Sequence, residues 1–124
     1  MLPPNSPKTI TFISRSTPYG SGLAKACLDM VLSAAVFEQH INLVFMDDGV
    51  WQLQAAQAPK HIDAKDLGAA LSALPLYEVN NIFAESESLS ARGLDPAALT
   101  IDVKACSAEQ IAAMIRESDV VYQL

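Results

Sequence analysis

Cysteine is scarce in this chain of 124 residues. Cys27 and Cys106 are too few and too far apart for a disulfide scaffold or a zinc knuckle, so any role they have is as thiols. Basic residues are few as well. Eight lysines and arginines are scattered among fourteen acidic residues, and a net charge of −6 with a pI near 4.6 excludes the massed cations that neutralise nucleic-acid phosphates. His40 and His61 have neither ligand spacing nor a nucleophile beside them, and no Ser/His/Asp or Cys/His arrangement is legible. Long apolar runs are also missing. Lys25, Asp29 and Glu38 interrupt one and Asp66 another, well short of the roughly 20 residues a membrane span requires. The start, Met1 to Pro7, holds three prolines and neither a basic region nor an apolar core. It reads as a disordered or extended leader over residues 1–7 with no signal peptide, which makes the cytoplasm the default.

What is present is apolar material for one core. Hydrophobic residues make up 51% of the chain, enough for a single domain over residues 8–124. The run Ile41-Asn42-Leu43-Val44-Phe45-Met46 reads as a strand buried on both faces, and it stops abruptly at Asp47-Asp48-Gly49-Val50-Trp51-Gln52-Leu53. In parallel sheets, sites lie outside the carboxyl ends of strands, which is where this acidic turn falls. The other strands are expected at Lys8 to Ser14, Val79 to Ala84, Leu99 to Val103 and Asp119 to Leu124. Helices are expected at Ser21 to Gln39, Ala64 to Ala73 and Ser107 to Glu117, with a short one ending at Gly93. Val50 to Gln54 suits a helical turn and Gln57 to Asp63 a loop. Strand and helix alternate throughout, so the fold class is α/β: three layers, α/β/α, around a mostly parallel five-stranded sheet.

Several groups are candidates for chemistry. Ser16, Thr17, Gly20, Ser21 and Gly22 lie in a hydroxyl- and glycine-rich loop opening the first helix, where backbone N–H groups can cradle an anion; the plainer alternative is a turn with Ser21 as cap. Read as a flavodoxin-like site, that loop would bind FMN or a phosphate ligand. Asp47 and Asp48 could hold Mg²⁺ or act as acid and base, but no third acidic ligand or nearby lysine completes a site, so no metal is assigned and the pair reads as turn or interface chemistry. Cys106 precedes the Ser107 cap, where a helix dipole can lower a thiol pKa and make a nucleophile, with Lys104 as its one basic neighbour. Cys27 falls on the core face of its helix.

Two features point to partners. Leu28, Leu32 and Val36 form an i, i+4, i+8 ridge beside the polar stripe of Lys25, Asp29 and Ser33, which predicts a subunit interface and self-association when the chain is alone. Trp51, with Asp48 and Val50 beside it, suits an interface anchor.

Taken in order, Ser14 through Gly20 ending Thr-Pro-Tyr-Gly, then Asp48-Gly49-Val50-Trp51-Gln52-Leu53, Leu76-Tyr77-Glu78-Val79, Arg92-Gly93-Leu94-Asp95-Pro96 and Asp119-Val120-Val121 resemble the TusC/DsrF branch of the DsrE/DsrF-like sulfur-relay proteins. The resemblance spans nearly the whole chain. It implies a subunit of a heterohexameric sulfurtransferase, two copies each of three homologous chains, with TusB/DsrH-like and TusD/DsrE-like partners and no cofactor. The TusBCD version sends sulfur toward 2-thiolation of the wobble uridine of certain tRNAs, and the DsrEFH version serves sulfur oxidation. The family's persulfide cysteine lies in the loop after the third strand of the DsrE/TusD-like subunit. The matching segment here, Ile82-Phe83-Ala84-Glu85-Ser86, has none, so the resemblance implies a non-catalytic subunit.

Overall fold

The computed structural model describes residues 7–18, 22–54 and 62–124, the side chains of 62–66 excepted. The expected leader, apart from Pro7, and most of the loop at Gln57 to Asp63 lie outside these residues. Apolar and β-branched runs form five strands: β1 (Thr9–Ser14), β2 (His40–Phe45), β3 (Asn81–Glu85), β4 (Lys104–Cys106) and β5 (Val120–Gln123). They make one sheet in the order β4-β3-β2-β1-β5, every neighbouring pair parallel. The expected α/β class and five-stranded sheet are both found.

The helices are α1 (Leu23–Ala35), α2 (Ile62–Ala73), α3 (Ser86–Ala91) and α4 (Ala108–Glu117). Right-handed crossovers put helices that advance along the sheet on one face and a helix that returns on the other. Accordingly α1 and α2 pack together over Phe12, Leu43, Phe45, Ile82 and Ala84. Returning from β4 to β5, α4 covers Ile13 and Val44 with Ile111 and Met114. Register explains the split: Phe12 stands opposite Leu43 and Ile13 opposite Val44, so alternate residues feed opposite layers. Ser107 caps α4 in a full capping box with Gln110. No helix among the described residues is long and apolar enough to cross a membrane.

Three expectations need correction. The fourth strand is Lys104–Cys106, not Leu99 to Val103. Leu99 instead bridges Gln54 in antiparallel fashion, and the Thr100 N–H donates to the Leu53 carbonyl at 2.9 Å, so this segment is tied to the end of the acidic turn before the chain reaches the sheet. Leu28 is 0% exposed inside the α1 core, Leu32 is partly buried against it, and Val36 is 63% exposed, so the three form no continuous surface ridge. Val50, placed with Trp51 at an interface by sequence, is also wholly buried. Both corrections have one cause: the α1/α2 layer closes over more of α1, and over the inner side of the turn, than a single helical face suggests.

Candidate functional site: the carboxyl end of the sheet

All five strands are parallel, so Ser14, Phe45, Glu85 and Cys106 end at the same edge, and the loops beyond them meet there. The segment Asp47–Leu53 is a 3-10 helix seated on the end of β1. Gly49 makes that seat possible. A Cβ at this position would lie 1.9 Å from the Ser14 carbonyl oxygen, a distance no side chain can occupy. Asp47 takes a left-handed backbone, φ 52°, to turn the chain out of β2, a conformation aspartate tolerates better than most residues.

The two aspartates do not act as a pair. Asp47 accepts from Arg15 Nε at 2.7 Å, and Asp48 accepts from Arg92 Nη2 at 3.0 Å. Each carboxylate is held by its own guanidinium. Among the described residues no group of three or more His, Cys, Asp or Glu is placed to hold a metal ion. The Arg92 Nη1 also donates to the Ser88 carbonyl at 3.1 Å, tying α3 to the turn.

The Arg92-Gly93-Leu94-Asp95-Pro96 block is explained residue by residue. Gly93 adopts φ 67°, its N–H donates to Ser90 and that of Leu94 to Leu89, which is a Schellman stop for α3. Asp95 accepts from the Ala97 N–H at 2.9 Å to start the next turn. In the Asp48–Leu53 block, Val50 and Leu53 enter the core and the buried Gln52 amide donates to Ser14 Oγ at 2.7 Å and to the Ser16 carbonyl at 3.1 Å. Trp51 is left half-buried beside Thr17, Pro18 and Gln54, around a hollow of about 170 Å³.

Below the turn sits a buried acid that sequence reasoning passed over. Glu85, at the end of β3, accepts from the Ser88 hydroxyl, whose oxygen in turn accepts from the Asp47 N–H at 2.8 Å. Cys106 stands opposite Glu85 on β4. Burial pushes its thiol pKa up, and the Glu85 carboxylate pushes it further. The expected lowering by the α4 dipole is therefore overturned first by burial and then by a neighbour 21 positions away in sequence. Cys27 is more strongly affected: burial raises it from 9.0 to about 11, partly offset by a hydrogen bond with Ser14. Both shifts act against formation of a thiolate.

Of the anion-loop candidates, Ser16, Thr17 and Gly22 are described; Gly20 and Ser21 are not. The Ser16 carbonyl points at Gln52, and Gly22 takes φ 78° at the start of α1. Arg15, Gln52, Glu85, Ser88 and Arg92 join the site through pairings 32 to 44 residues apart or through burial, and neither leaves a local sequence signal.

This is a small three-layer α/β domain whose loop-bearing edge is closed by ion pairs and buried hydrogen bonds. The DsrE/DsrF-like family pattern matches residues 8–123. A protein of Vibrio parahaemolyticus named as a TusC homologue is 37% identical over 109 residues, 88% of this chain and 92% of that one. The intracellular sulfur oxidation protein DsrF of Allochromatium vinosum is 39% identical over 87 residues, 70% of this chain and 64% of that one. The crystal structure of the ychN protein from E. coli superposes with a TM-score of 0.82 at 19% identity, over 94% of this chain and 99% of that one, and so shares the fold. The chain belongs to the DsrE/DsrF-like family.

Proposed function

We propose that this chain is a non-catalytic subunit of a cytoplasmic sulfur-relay complex, built as a heterohexamer with TusB/DsrH-like and TusD/DsrE-like relatives. Its service is of the TusBCD type, toward 2-thiolation of the wobble uridine in tRNA. The observation that carries this reading is the end of β3: where a relay thiol is wanted, the chain has Glu85 and Ser88 bonded to each other and covered by the acidic turn. A carboxylate at that place repels a thiolate or persulfide anion. Both cysteines are buried, with thiols held protonated at neutral pH. The acidic charge argues for contact with tRNA through another subunit. Preference for the TusBCD type over the DsrEFH type rests on the TusC homologue aligning over 92% of its length, against 64% for DsrF.

The test is co-expression with the TusB-like and TusD-like chains of the same organism. All three are expected to elute together in equal amounts. Elution of this chain by itself, with the other two associated or absent, contradicts the reading.

A further inference from the structure

The opposite edge of the sheet, where the strands begin, carries an apolar cluster that the reading above leaves without a task. Helix α1 runs out into Val36 and Phe37, the latter 73% exposed, and the turn after α2 presents Leu76 and Tyr77, 84% and 47% exposed. Helix α1 touches that turn, and the two lead into the adjacent strands β2 and β3, so all four side chains stand at one end of the α1/α2 layer.

Each apolar pair is followed by a glutamate in the left-handed region, Glu38 at φ 57° and Glu78 at φ 62°. Glycine takes this place without steric cost, and the chain uses Gly93 for the same purpose after α3. At Glu38 and Glu78 the backbone accepts strain, and an exposed carboxylate results. Neither glutamate forms an ion pair among the described residues. Beside Leu76, Pro75 walls a groove of about 530 Å³ with Val79, Leu99 and Ile101, and exposed Asp102 puts a carboxylate in its lining. The described basic residues toward this end are Lys8 before β1, His40 at the start of β2, Lys104 over the Phe83 ring, and Arg116 on α4, in the other helical layer.

We propose that Val36, Phe37, Leu76 and Tyr77, with the adjoining groove, form the docking surface for a protein partner that seats an apolar side chain ringed by lysine or arginine. On the reading above, on which this rests, that partner is a homologous subunit. The acid rim selects it: two copies of this chain meeting through the same surface would press Glu38 and Glu78 against like charges in a desolvated contact.

The test uses the full chain co-expressed with its TusB-like and TusD-like relatives, purified through a tag on one of these, with retention of this chain read at low and high salt. Wild type is retained, less so at high salt. Phe37→Ser with Leu76→Ser lowers retention at least about tenfold at both. Glu38→Lys with Glu78→Lys lowers it about tenfold at low salt and removes the salt dependence. Glu38→Gly with Glu78→Gly melts at or above the wild-type temperature, since strain is relieved, yet binds more weakly. That separates docking from folding. If wild type is retained and all three variants match it, the docking surface is wrong while the complex stands. If wild type is not retained, both fall. If the variants convert a dimer of the lone chain to monomer, the surface is a self-contact and the assignment to a basic-rimmed partner is overturned.

Discussion

Replacing Gly49 by alanine isolates the seat of the acidic turn. The added Cβ would start 1.9 Å from the Ser14 carbonyl oxygen, and reaching even the 3.0 Å limit of real Cβ contacts takes 1.1 Å of movement. What must move is strand backbone. The Ser14 oxygen accepts from the Met46 N–H at 3.2 Å, Ser14 is in register with Phe45, and its hydroxyl is held by Gln52. Overpacking of this kind costs about 1–3 kcal/mol, and losing the end of the β1–β2 ladder adds about 1 kcal/mol. A loss of about 2–4 kcal/mol follows, a fall in melting temperature on the order of 10 °C for a domain of this size. The control is Gly68→Ala in α2, where a Cβ meets nothing within 4 Å. Alanine there is expected to stabilise by about 0.5–1 kcal/mol through helix propensity. Urea unfolding followed by circular dichroism reads both. Gly49→Ala within about 1 kcal/mol of wild type would refute the tight seat.

Two more perturbations address positions where sequence and structure part. Leu28→Ala should cost about 2–5 kcal/mol as a core cavity, whereas Val36→Ser should stay within about 0.5 kcal/mol in the isolated chain; equal effects in chemical unfolding would contradict the placement of Leu28 in the core. For Cys27, the folded thiol near 11 lies above its ordinary 9.0. Stability tied to it is complete below about pH 9 and is lost as pH climbs toward 11, roughly 2–3 kcal/mol in all, because the unfolded chain ionises first. Unfolding of Cys27→Ala measured across that window should lack this component, and an identical slope in both proteins would count against it.

Much of the architecture was legible because periodicity reports burial. The run Ile41 to Phe45 announced a central strand, and Ser107 announced the start of α4. The Leu99 to Val103 run misled because Leu99, Ile101 and Val103 do pack on the core, yet as an extended connection held by Leu53 and Gln54 outside the sheet. At the site, the acidic turn and the two motif blocks could be found, but not what they do. That Asp47 and Asp48 each face a separate arginine, and that burial and Glu85 raise the Cys106 pKa where a helix dipole would lower it, depends on contacts made only when the chain is folded. The ridge on α1 failed for a related reason: helical geometry assigns residues to a face, but how much of that face is covered is decided by α2 and the turn between α2 and β3.

The central claim, that this subunit shapes a sulfur relay without itself holding the sulfur, is tested most directly by treating the assembled complex with a persulfide donor and weighing each subunit intact. Added sulfur is expected on another subunit and an unchanged mass on this one, at neutral pH. A gain of one sulfur atom on this chain, mapped to Cys106 or Cys27, would contradict it.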